Sequence, residues 1–140
     1  MRGVLETCVY ATDLAAAEHF YADVIGLEAF ARADGRHVFF RCGAAVFLVF
    51  NPDATSVPGG RAVPLHGARG AGHAAFAVVA EELPAWRDRL ARYGIPVEAE
   101  VAWPGGGQSI YVRDPAGNSI ELATPGVWGI DEGRGGGTRC

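Results

Sequence analysis

Along residues 14–28 (LAAAEHFYADVIGLE) the apolar positions Leu14, Ala17, Phe20, Tyr21, Val24 and Ile25 recur at intervals of three and four, the spacing of one helix face. Thr12 or Asp13 is placed to cap the first turn, and Gly26 suits the C-terminal end. Ahead of the helix, residues 4–11 (VLETCVYA) read as a short strand. Behind it come three β-like runs, 27–32, 36–41 and 45–51, separated by turn signals at Ala33-Asp34-Gly35 and Cys42-Gly43. The order then recurs. Residues 72–79 (GHAAFAVV) read as a strand and 81–93 as a helix, with Leu83, Trp86, Leu90 and Tyr93 as its buried stripe. Pro84 falls in the first turn, which tolerates it, and Gly94 ends the helix as Gly26 ends the first. Three strands follow, 95–101, 108–113 and 118–124, the last two joined by an Asp114-Pro115-Ala116-Gly117 turn.

The chain is therefore βαβββ followed by βαβββ, and this internal repeat is its most informative feature. Four strands and one helix do not close on themselves. Two such units together make an α+β fold in which the βαβββ modules form a cupped mixed sheet, helices outside and a concave face within. The first module is assigned to residues 4–51 and the second to 72–125. Residues 52–71, rich in Pro and Gly, form a linker or a loop over a site. The tail, 126–140, is expected to be partly disordered, beyond Trp128.

Composition narrows the function. With 140 residues, 49% of them apolar and 20% charged, the chain can pack a core and is not intrinsically disordered. Its net charge of −4 and the lack of a basic run argue against nucleic acid and against anionic membranes as partners. All 12 basic residues are Arg, so neither a Schiff base nor a lysine general base operates. Cys8, Cys42 and Cys140 are odd in number and form no CxxC pair, which fits a reducing compartment better than a disulfide scaffold. The opening MRGVLETCVYATDL has no apolar signal core and no apolar run approaches membrane-spanning length, so a soluble, cytoplasmic protein is expected. Gly105-Gly106-Gly107 lies between strands with no GK[ST] after it and is no phosphate loop, and no GxSxG nucleophile elbow is present.

Three polar residues on strands stand out against this apolar background. Glu6 lies among apolar neighbours in the first strand, and His73 opens the first strand of the second half, the matching place in the repeat. Glu121 sits between Ile120 and Leu122 in the last strand. Buried carboxylates are costly unless paired or bound to a cation, and two carboxylates with an imidazole make a divalent-metal donor set. Each also has an ordinary reading: Glu6 as a water-facing edge acid, His73 as a solvated turn histidine, Glu121 in a salt bridge with Arg113 or Arg41.

The stretches TDLAAAEHFYADVIGL, GHAAFAVV and YVRDPAGNSIEL resemble the vicinal oxygen chelate superfamily, which holds glyoxalase I, bleomycin-resistance proteins, fosfomycin-resistance enzymes and extradiol dioxygenases. The resemblance covers residues 4–125. It implies paired βαβββ modules forming a cup with one divalent metal ion (Fe, Mn, Ni or Zn) at its base. The family's metal ligands fall on Glu6, His73 and Glu121, and Tyr111 matches an aromatic beside the metal whose phenol can hydrogen-bond to substrate. Two departures are visible. Glu6 stands where His or Gln is usual, so the set is Glu/His/Glu, which counts against oxygen-activating iron chemistry. The fourth ligand of glyoxalase I falls near Leu48, which cannot ligate, leaving a three-ligand site with open positions.

Other residues complete the candidate pocket. Strand alternation puts His37, Phe39 and Arg41 on one face and Arg36, Val38 and Phe40 on the other. If the His37 face lines the cup, Arg41 can take a substrate carboxylate or phosphate; the alternative is a solvated edge with Phe39 in the core. His66 in the linker is either a mobile surface histidine or an acid/base over the mouth. Trp103 either walls the pocket or anchors its loop. His19, beside the stripe of the first helix, reads as structural or surface. The leading function is a metal-dependent lyase, isomerase or dioxygenase on a small-molecule substrate that chelates the ion through vicinal oxygens, with Glu6, Glu121 and Tyr111 as catalytic groups. The alternative is a metal-free protein that sequesters an aromatic antibiotic or metabolite on Phe39, Phe50 and Trp103. A homodimer is expected from the resemblance.

Overall fold

The computed structural model describes residues 3–60 and 62–131. Residues divide by their contacts into two units, one running to Gly72 together with Pro115–Asn118, the other built on His73–Asp114 and residues from Ser119 onward. Each carries a four-stranded mixed sheet and one principal helix.

In the first unit, β1 (Glu6–Tyr10) leads to α1 (Leu14–His19), which continues as a π-helical stretch, Phe20–Ile25. Then come β2 (Glu28–Ala33), β3 (His37–Cys42), β4 (Ala45–Phe50) and a single helical turn, α2 (Pro52–Thr55). The strand order is β1-β4-β3-β2, with β1 parallel to β4 and the other pairs antiparallel. The Asp13 carboxylate accepts from the Ala16 N–H at 2.9 Å and caps α1. The sequence predicts one regular helix here, and the structure widens its second half. Two adjacent aromatics must both reach the sheet, and the wider turn buries Phe20 and Tyr21 together with Val24 and Ile25. Gly26, at φ +91°, closes the stretch through its N–H to the Tyr21 carbonyl. Tyr21 packs against Phe40 and Phe47 at ring-centroid distances of 5.7 and 4.8 Å. With Val38 and Val49 these make the core, each fully buried side chain contributing about 1.5–3 kcal/mol.

The second unit repeats the plan. It has β5 (His73–Ala77), a 3₁₀ turn (Ala80–Glu82), α3 (Leu83–Arg92), β6 (Ala99–Ala102), β7 (Gln108–Arg113), β8 (Ser119–Ala123) and a closing 3₁₀ turn (Pro125–Trp128). Strand order is β5-β8-β7-β6, with β5 parallel to β8. Leu83 and Leu90 of α3 are buried with Ile110, Val112, Ile120 and Leu122. Of the expected α3 stripe, Trp86 is half-buried and Tyr93 is exposed, because the helix stops at Arg92 and Tyr93 lies beyond its last turn. Residues 95–98, expected as strand, lie outside β6. Arg87 on α3 forks onto Glu100, and Arg113 onto Glu98.

Asn118, from the Asp-Pro-Ala-Gly-Asn turn, is buried in the first unit with both ends of its amide engaged. It accepts the Gly72 N–H at 2.7 Å and donates to the Tyr10 carbonyl at 3.0 Å. The segment expected as a linker opens with α2, capped by Asn51, whose side chain accepts the Asp53 N–H. The expectation of a disordered tail lies, from residue 132 on, outside the described residues, as does Cys140.

Candidate functional site

Strand register sorts the polar residues before any contact is considered. In the first unit, the sheet face turned from the helix carries three cross-strand rows: Glu6–Val46–Arg41, Cys8–Leu48–Phe39 and Tyr10–Phe50–His37. In the second unit the corresponding rows are His73–Ser119–Arg113, Ala75–Glu121–Tyr111 and Ala77–Ala123–Ser109. Glu6 and His73 each open the first strand of their unit, and Leu48 and Glu121 occupy the same row of the last strand. Each unit thus offers one pair of equivalent positions, His73/Glu121 in the second and Glu6/Leu48 in the first.

The second unit's pair is assembled. His73 Nε2 lies 3.3 Å from Glu121 Oε2. The other ring nitrogen, Nδ1, lies 3.0 Å from the Ser119 carbonyl oxygen, which only accepts, so Nδ1 carries the proton and donates. In the neutral ring Nε2 therefore turns a lone pair toward a carboxylate oxygen, an arrangement that calls for a proton or a cation between them. Two donors held on one ion by bonds of about 2.1 Å stand roughly 3.0–3.4 Å apart in cis, so the spacing fits a metal. A backbone carbonyl on the remote nitrogen is also the usual support of a metal-binding histidine. Within either unit, the described residues bring no third His, Cys, Asp or Glu to such a group.

Glu121 is buried, and each of its carboxylate oxygens has a polar neighbour. Oε1 accepts from the Ser109 hydroxyl at 2.5 Å, and Ser109 Oγ in turn accepts the Trp103 indole N–H at 2.8 Å. The Tyr111 ring stacks beside His73, centroids 6.4 Å apart. Its phenol is held above the usual tyrosine range, first by burial and then by its hydrogen bond to Glu121 and that group's negative charge, Ser109 acting in the opposite direction. Arg113, offered by the sequence as a partner for Glu121, is instead held by Glu98.

In the first unit the rows gather an aromatic cluster. His37 stacks flat on Phe39 at 4.0 Å, Phe39 meets Phe50 edge-on at 5.2 Å, and the Arg41 guanidinium lies 4.1 Å over the Phe30 ring. His66, read from the sequence as either mobile or folded over the mouth, is half-buried and held. Its Nδ1 pairs with the Tyr10 hydroxyl at 2.9 Å, its ring meets Phe50 edge-on at 4.6 Å, and its backbone N–H donates to Thr55. The Tyr10 phenol is raised above its ordinary range, mainly by burial and then by Cys8 beside it. The sequence places Glu6 among apolar neighbours as a costly buried acid. The structure corrects this: Glu6 is the first residue of β1 and exposed, so no burial cost attaches to it. Trp103 is 41% exposed and is anchored through its indole N–H to Ser109. His19 is exposed and pairs with Asp23 one helical turn on.

Sequence reasoning missed Ser109 and Tyr10. The signal for Ser109 was available: it lies two residues before Tyr111 and so on the same strand face, one step from the Glu121 row.

Paired βαβββ units, each with a mixed sheet whose far face carries metal-type donors or aromatics, define a class of small two-module α+β proteins. The sequence profile of the Glyoxalase/Bleomycin resistance protein/Dioxygenase superfamily matches residues 3–122, and the chain belongs to that family. Among solved structures, it is similar to lactoylglutathione lyase from Agrobacterium tumefaciens, at 42% identity over 93% of this chain and 98% of that one, with a TM-score of 0.89. A glyoxalase/bleomycin resistance protein/dioxygenase from Nocardioides shares the fold at 19% identity, covering 89% of this chain and 83% of that one, TM-score 0.69. So does a glyoxalase/dioxygenase from Nostoc punctiforme, at 20% identity over 88% and 90%, TM-score 0.65. No curated protein matches the chain.

Proposed function

We propose that the chain is a divalent-metal-dependent enzyme acting on a small molecule that presents two vicinal oxygens, and that its chemistry is of the lyase or isomerase kind. The observation that carries this reading is the His73–Glu121 pair, 3.3 Å apart with the remote imidazole nitrogen already committed. The family resemblance assigns a third donor to Glu6, the equivalent of His73 in the first unit; Leu48, equivalent to Glu121, supplies none, which leaves open positions for substrate. When bound, a divalent ion supplies Lewis-acid polarisation of a substrate oxygen. Two carboxylates with one imidazole form a hard, charge-neutralising set, which favours lyase or isomerase over dioxygenase chemistry. The likeness to a lactoylglutathione lyase points the same way.

The chain's own residues take the remaining roles. Tyr111, kept protonated by burial and by Glu121, carries a single phenol proton, which turns from Glu121 to a substrate oxygen when substrate is bound. Glu6 or Glu121 exchanges the proton. Arg41 receives an anionic group, and Phe39, His37, Phe50, His66 and Trp103 shape the substrate's surroundings. The working form is a cytoplasmic homodimer.

The test is elemental analysis of wild type beside His73→Ala and Glu121→Ala, with turnover of lactoylglutathione measured on the same samples. Near-stoichiometric metal in wild type, lost in both variants, supports the reading. A wild type that stays metal-free after incubation with manganese, iron, nickel and zinc overturns it. One observation favours a second reading, a metal-free protein that sequesters an aromatic antibiotic or metabolite: the connected rings of His37, Phe39, Phe50 and His66 in the first unit. Tight binding of such a ligand by metal-free protein, undiminished in Glu121→Ala, distinguishes it.

A further inference from the structure

Glu121 has two carboxylate oxygens, and the structure treats them differently. Oε2 faces His73, while Oε1 is occupied by Ser109 at 2.5 Å. The direction of that second bond is fixed by chemistry. The Trp103 indole N–H can only donate, and it takes a lone pair of Ser109 Oγ at 2.8 Å. The single hydroxyl proton of Ser109 must then point elsewhere, and Glu121 Oε1, 2.5 Å away, accepts it. Ser109 is almost fully buried.

We infer that Ser109, oriented by Trp103, is a positioning residue. It holds Oε1 of Glu121 so that Oε2 alone is presented, as a single-oxygen donor, beside His73 Nε2. This rests on the metal reading above and goes beyond it: a residue with no donor of its own for the ion sets the affinity and the geometry of the site. Carboxylate ligands that lose such a partner swing between one-oxygen and two-oxygen binding, and affinity falls about 10–100-fold. Trp103 thereby has a task besides lining the pocket.

The experiment is a titration of the metal-free full-length protein with Co²⁺, followed by its visible absorption, which reports the ligand field and needs no substrate. Wild type, Ser109→Ala, Ser109→Thr, Trp103→Phe and Glu121→Ala are compared, each checked for an unchanged thermal transition without metal. The expected result is a roughly 10–100-fold weaker Co²⁺ affinity in Ser109→Ala with a shifted band pattern. Ser109→Thr, which keeps the hydroxyl, recovers affinity and bands. Trp103→Phe, which keeps the ring on a partly exposed loop but frees the hydroxyl to rotate, falls between. If Ser109→Ala and Trp103→Phe bind Co²⁺ with wild-type affinity and spectrum while Glu121→Ala does not, the positioning role is wrong and the metal site stands. If wild type itself takes up no Co²⁺, both fail together.

Discussion

His73 and Glu121 face each other from adjacent parallel strands, Nε2 to Oε2 at 3.3 Å, while the imidazole's other nitrogen donates to the Ser119 carbonyl. A pair committed in this way gains from an ion that binds the folded chain. Zinc or manganese at about 100 times its dissociation constant is expected to stabilise wild type by about 2.7 kcal/mol, reversed by a chelator. His73→Ala and Glu121→Ala lose that response. Thermal melting with and without metal measures it; an equal metal-induced rise in all three proteins rules out this pair as the site.

Asn118 is expected to matter to stability out of proportion to its size. Its buried amide serves the Gly72 N–H and the Tyr10 carbonyl at once, and Asn118→Ala leaves both without their partner. Unsatisfied buried groups cost about 1–3 kcal/mol each, and because these two partners are only part-buried a loss of roughly 2–4 kcal/mol is expected in urea unfolding. Asn118→Asp, which keeps the acceptor but sets an oxygen against the Tyr10 carbonyl, is expected to be no better than Asn118→Ala. Wild-type stability in either variant contradicts the assignment.

Phe39 and Phe40 are neighbours in β3 with opposite fates. Phe40 is completely buried under Tyr21, and Phe40→Ala is expected to cost about 3–5 kcal/mol. Phe39 stands on the other face with His37 and Phe50, half-buried, and Phe39→Ala is expected to cost roughly half of that or less. Parallel unfolding curves for the two variants decide the matter, and equal losses would show that the faces are misassigned.

The acid limb of stability carries the marks of two ion pairs. Arg113 holds Glu98, and Arg87 holds Glu100, below the ordinary glutamate value of 4.5, in both cases mainly through the guanidinium hydrogen bond. A carboxyl whose folded value is depressed stabilises the protein above its unfolded value, and the contribution vanishes as pH falls through the folded one. Glu98→Gln with Glu100→Gln is therefore expected to lower the melting temperature modestly at pH 7 and hardly at all near pH 2. Both groups are exposed, so high salt is expected to shrink the difference at pH 7 as well. A difference that grows on acidification reverses the sign and refutes the account.

The βαβββ repeat was legible from residue spacing alone, because period and punctuation are local properties. The three-and-four spacing from Leu14 to Ile25, the Gly26 and Gly94 stops and the Asp-Pro-Ala-Gly turn act within a few residues of one another. The alternation of β3 was equally readable as two faces, but spacing left open which face is buried, and packing under the helix put Phe40 in the core and left His37, Phe39 and Arg41 on the far face. Even the equivalence of Glu6 with His73 followed from the repeat. Other features depend on partners distant in the chain, and no spacing rule reaches them. Two adjacent aromatics competing for one sheet widened the helix at Phe20–Ile25. His66 became a fixed residue only because Tyr10 and Phe50 lie under it. The separate partners of the two Glu121 oxygens needed Trp103, Ser109, His73 and Glu121 itself brought together from three strands and a loop, an arrangement made by cross-strand register and the direction of hydrogen-bond donors. Sequence determined which elements form and which faces they bury; tertiary packing decided which polar atoms meet, because a hydrogen bond is set by distance and angle in space and not by separation along the chain.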